Sequence, residues 1–81
     1  MLNKDMTKVE IEEMLKGKGD FVKIDHLNRL LKNTNLPIEK RKFAFIKLAE
    51  IYESKGMFSD AARSMDGAAI ASITFTDKIR F

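Results

Sequence analysis

A chain of 81 residues, 44% hydrophobic and 33% charged, is enough for one small domain, and its composition excludes a disordered tail. With no cysteine it is not a disulfide scaffold, a thiolate metal site or a cysteine-nucleophile enzyme, and a reducing cytoplasm is the expected compartment. Its net charge of +3, from 15 basic and 12 acidic residues interspersed along most of the chain, is less lopsided than a nucleic-acid protein of this size usually is.

No apolar run approaches the roughly 18 residues that a membrane helix needs. Residues 1–6 contain no apolar core of the signal-peptide kind, so no membrane partner is expected. Four glycines and one proline leave little room for a turn-rich β fold.

The first helix is expected from about Lys8 to Lys16. Thr7 and Glu10 have the spacing of a capping box, in which each side chain accepts from the other residue's backbone N–H. Val9, Ile11, Met14 and Leu15 supply the apolar stripe, and Glu12 can pair with Lys16 one turn on. Gly17-Lys18-Gly19 then ends the helix. Asp20 is placed to cap a second helix over Phe21 to Asn33, whose Ile24, Leu27, Leu30 and Leu31 share one face. Asn33-Thr34-Asn35 breaks it.

The third helix is expected from Pro37 to Lys55, proline being tolerated where the first N–H has no helical partner anyway. Phe45, Leu48, Ala49 and Tyr52 line one face, Ala44 and Ile51 widen it, and Phe43 and Ile46 lie on another side. A helix apolar around so much of its circumference is packed on more than one side. Ser54-Lys55-Gly56 closes it. The fourth helix, about Phe58 to Ser72 with Ser59 or Asp60 as cap, is rich in small residues: Ala61, Ala62, Ser64, Gly67, Ala68 and Ala69. Gly67 costs about 1 kcal/mol relative to alanine, which a close backbone neighbour would justify. Met65 and Ile70 are its expected bulky contacts. Residues 73–81 read two ways: Thr74 or Thr76 caps a fifth helix, or Ile73, Phe75, Ile79 and Phe81 alternate as a strand.

The offsets Phe45-x2-Leu48-Ala49-x2-Tyr52, then Ala61-x3-Met65 and Ala68-Ala69, resemble the tetratricopeptide repeat. The resemblance covers Lys42 to Phe75. Phe45 stands for the usual Trp, Ala49 for the Gly and Met65 for the Phe, while Ile73-Thr74 stands where a proline is expected. One repeat earlier, Met14, Leu15, Leu27 and Leu31 are apolar, but the Tyr and the small pair are missing. The expected architecture is therefore all-α: a degenerate hairpin over 7–33, a repeat-like hairpin over 37–73 stacked antiparallel as in an α-solenoid, and over 74–81 a further helix or a docking tail.

The resemblance implies a non-catalytic protein-interaction module whose concave face is lined by the first helix of each pair. On that face Phe43, Ile46, Lys47 and Glu50 would contact a protein or peptide partner. Ile46 and Glu50 stand where peptide-tail-clamping members carry Lys and Asn, so a carboxylate clamp is not implied. The apolar Ile73, Phe75, Ile79 and Phe81 lack the polar outer face of a terminal repeat, and docking of a second copy there is expected.

Other chemistry is thin. His26 is the single histidine, with no second imidazole or thiol to form a metal set. Glu12-Glu13 and Glu50 with Glu53 flank apolar stripes and read as solvated faces. Gly17-Lys18-Gly19-Asp20 lacks the spacing and preceding strand of a phosphate loop. No metal, cofactor or catalytic set is expected. Lys40-Arg41-Lys42, extended by Lys47, is the one basic cluster, and a phosphate-contacting surface for nucleic acid is the alternative function it raises.

Overall fold

The computed structural model describes residues 2 and 5–80, with the helical backbone alone over 71–80. It contains α1 (Lys8–Leu15), α2 (Asp20–Leu31), α3 (Ile38–Ser54) and α4 (Phe58–Arg80), and no strand among the described residues. α4 passes through 73–74 without a break, so neither a fifth helix nor a strand forms over 74–80. The absent proline explains this. Ile73 and Thr74 lower helix propensity by only some tenths of a kcal/mol and do not remove a backbone donor.

The ends of the helices follow from local chemistry. Glu10 donates its N–H to Thr7 Oγ1 (3.2 Å) and Thr7 donates its own to Glu10 Oε1 (3.1 Å), the reciprocal cap of α1. After Leu15 the chain makes a tight turn with Lys16 extended (φ −59°, ψ 132°) and Gly17 left-handed (φ 80°), closed by Lys18 N–H to Leu15 O at 3.1 Å. This is type II turn geometry, which favours glycine at the third position. At the end of α3, Met57 N–H reaches Tyr52 O (2.8 Å) and Gly56 N–H reaches Glu53 O (3.0 Å), with Gly56 at φ 75°. That Schellman arrangement turns the chain sharply into α4.

Two expected caps are absent. α2 starts at Asp20 itself, behind Gly19, and Asp20 pairs with Lys55 (3.4 Å) rather than capping. α4 starts at Phe58, which puts Ser59 and Asp60 inside its first turn.

The core joins Ile11 and Leu15 of α1, Leu27 and Leu30 of α2, Leu36 of the connection, and Ala44 and Leu48 of α3. Ile11 and Leu27 are fully enclosed and Leu48 nearly so. α3 and α4 form the closest helix pair, and α2 packs on α3. α1 makes no comparable backbone approach to any helix; it has eight residues and meets the core through two bulky side chains. So the chain forms one tight hairpin, α3–α4, rather than two.

Small residues decide that difference. α4 buries Ala61, Ser64 and Ala68, spaced i, i+3, i+7, and Ala49 is buried on α3. The Ser64 hydroxyl donates to Asp60 O (3.0 Å), so its burial leaves no unpaired group. Gly67 packs against the ring of Phe45: a Cβ there would lie 2.7 Å from Cε1. The close neighbour is thus an aromatic ring and not a backbone. Met65 and Ile70, expected as contacts, are instead 52% and 63% exposed, because the α3-facing row is 61, 64, 68.

Candidate functional site

Position 47 on α3 is where the chain's charges converge. Lys47 Nζ lies 2.6 Å from Glu12 Oε1 on α1 and 3.9 Å from Glu50 Oε2 one turn along its own helix. It also sits 5.9 Å from the centre of the Phe43 ring, the preceding turn of the same face. The lysine is only 28% exposed, so its ion pairs are less open to solvent than a surface bridge. Glu12 therefore faces α3 and pairs with Lys47 rather than with Lys16 one turn on.

Around this pair lies a groove of about 520 Å³. One wall is Glu12, Glu13 and Leu15 of α1, with Lys16 beyond its end; the other is Lys47, Glu50, Ile51 and Ser54 of α3. Asp20 and Lys23 at the start of α2 close one end. Nearby, Lys55 Nζ pairs with Asp20 (3.4 Å) and stands 4.5 Å over the exposed ring of Phe21. Glu13, Lys16 and Lys23 have no ion-pair partner among the described residues. The groove thus offers unpaired charges of both signs around a fixed central cation, with Leu15 and Ile51 as its apolar floor.

Of the four residues expected to contact a partner, Lys47 and Glu50 line the groove. Phe43 is half-buried against the core, beneath Lys47, and Ile46 is half-buried away from the lining. The contributions of Glu13, Lys16, Asp20 and Lys23 escaped sequence reasoning. Their opposition to α3 depends on how the turn at Gly17 aims α2, which no spacing on a single helix reveals.

The basic cluster is not one surface. The Arg41 guanidinium donates from Nη1 to Leu31 O (3.0 Å) and from Nη2 to Asn33 O (2.8 Å), closing the carboxyl end of α2. Lys42 is exposed, Lys40 half-buried, and Lys47 turns into the groove. The self-association expected of Ile73, Phe75, Ile79 and Phe81 concerns side chains outside the described residues.

Among the described residues no cluster of three or more His, Asp or Glu is arranged to hold a metal. Nor is any helix there long and apolar enough to cross a membrane. No family model, curated protein or solved structure matches the chain.

Proposed function

We propose that the chain is a non-catalytic, tetratricopeptide-like interaction module that holds an extended segment of a protein partner in the groove between α1 and α3. The observation that carries this reading is the fixed Lys47–Glu12 bridge set among unpaired Glu13, Lys16 and Lys23. Charges that have no partner among the described residues can pair with an incoming segment, while the bridge sets the separation of the two walls. α3 is also the first helix of the repeat-like hairpin, the position from which the resembled family binds. An adaptor of this kind works in a reducing cytoplasm without thiols.

The test is capture from a cell lysate with wild type and with a Glu13→Lys/Lys23→Glu double variant, each with and without nuclease. These side chains are exposed or half-exposed, so the variant is expected to fold normally by circular dichroism. A protein partner retained by wild type after nuclease and lost by the variant supports the groove. Retention by both sinks it. Capture that disappears with nuclease, with affinity falling steeply as salt rises, would favour the nucleic-acid alternative at Lys40, Arg41, Lys42 and Lys47. Arg41 and Lys47 are already engaged within the chain, which counts against that alternative.

A further inference from the structure

Two ion pairs tie α3 to the elements that face it, one towards each end of the groove. Glu12 of α1 meets Lys47 at 2.6 Å, and Asp20, the first residue of α2, meets Lys55 at 3.4 Å. Lys47 and Lys55 stand just over two helical turns apart, about 12 Å along the axis of α3. α1 and the start of α2 thus follow α3 in the same order, and the groove extends from one bridge to the other.

Each bridge cancels its own charge, and the charges left over are sorted by sign. Beside the first bridge stand two carboxylates. Glu13 follows Glu12 on α1, and Glu50, 65% exposed, rests only loosely on Lys47 at 3.9 Å. Beside the second bridge stand two ammonium groups. Lys16 lies one turn beyond Glu12, towards the Gly17 turn that leads to Asp20, and Lys23 lies one turn into α2 from Asp20. Between the two ends the floor is apolar: Leu15 is buried, and the half-buried Ile51 is midway between Lys47 and Lys55. Along the groove the order is acidic, apolar, basic.

An extended chain has matching dimensions. At about 3.3 Å per residue, the side chains at i, i+2 and i+4 share one face and span about 13 Å. A cation at i then meets Glu13 and Glu50, an apolar side chain at i+2 meets Leu15 and Ile51, and a carboxylate at i+4 meets Lys16 and Lys23. A segment charged with one sign throughout pairs at one end and is repelled at the other.

We infer that the groove selects an extended segment with a cation, an apolar side chain and a carboxylate at alternate positions, the cation beside the Lys47 bridge and the carboxylate beside the Lys55 bridge. This rests on the groove being the partner site proposed above and adds the charge order of what it takes.

The experiment is an NMR titration of the full chain with three end-blocked peptides that differ at two positions only: Lys-Ser-Leu-Ser-Glu, Lys-Ser-Leu-Ser-Lys and Glu-Ser-Leu-Ser-Glu. Wild type is expected to bind the first about fivefold or more tighter than either of the others, with amide shifts at Glu13, Lys16, Lys23 and Glu50. Lys16→Glu/Lys23→Glu, altered at exposed or half-exposed positions, makes both ends acidic and should transfer the preference to Lys-Ser-Leu-Ser-Lys. Misfolding cannot produce such a gain. A wild type that binds none of the three, or does not distinguish them, overturns the inference. So does a preference for Glu-Ser-Leu-Ser-Glu, which would mark a plain anion site, for Lys-Ser-Leu-Ser-Lys, or a double variant whose preference does not move. The groove assignment is judged separately by the lysate capture: a partner lost in Glu13→Lys/Lys23→Glu, with no charge order among the peptides, sinks this inference alone.

Discussion

Gly67 shows how one missing Cβ sets a helix distance. In an exposed helix, replacing glycine with alanine stabilises by about 1 kcal/mol. Here the new methyl would meet the Phe45 ring at 2.7 to 2.9 Å, and overpacking of that kind costs about 1–3 kcal/mol. Gly67→Ala is therefore expected to lower stability in urea unfolding, and the Phe45→Leu/Gly67→Ala pair to recover part of the loss. A more stable Gly67→Ala would mean that the two helices stand further apart. Arg41 is the second residue whose role is local. Its two donors serve Leu31 O and Asn33 O, a planar fork that lysine cannot reproduce. Arg41→Lys should cost about 1 kcal/mol and speed amide exchange near the end of α2, which tests its structural role without invoking any ligand.

At the scale of elements, the contrast between α1 and α4 follows from side-chain size. α4 presents Ala61, Ser64 and Ala68 to α3 and comes close; α1 presents Ile11 and Leu15 and stays further off. Ala68→Leu should consequently destabilise by about 1–3 kcal/mol, since Ala68 is 4% exposed and the α3–α4 contact has no slack. Thermal unfolding with an unchanged midpoint would contradict this. The connection at Gly56 is equally specific. Its φ of 75° costs a residue with a Cβ about 1–2 kcal/mol, so Gly56→Ala is expected to loosen the turn that makes the hairpin.

For the molecule as a whole, stability is distributed unevenly. The tight α3–α4 pair and the shared leucine core hold three helices firmly, whereas α1 is attached by Ile11, Leu15 and the Lys47–Glu12 bridge. Native-state hydrogen exchange should accordingly show α1 opening at a lower free energy than α3. Lys47→Ala should widen that gap. The bridge itself contributes no more than about 1 kcal/mol, so the fold should survive its loss. Equal protection of α1 and α3 would show that α1 is held as firmly as the rest of the fold.

The sequence by itself determined the helical class, the first three segments within a residue or two and the start of the fourth, the capping box at Thr7 and the turns at Gly17 and Gly56. These depend on contacts among neighbours a few residues apart, and hydrophobic spacing, glycine and paired capping residues report them directly. Only the tertiary structure decided which of two adjacent rows on α4 faces α3, that Arg41 closes α2, and that Glu12 answers Lys47. Met65 and Ser64 differ by one position, about 100° around the helix, and nothing local distinguishes an inward small residue from an outward bulky one. The groove likewise depends on the direction in which the turn at Gly17 sends α2, a property of the packed chain and not of any single helix.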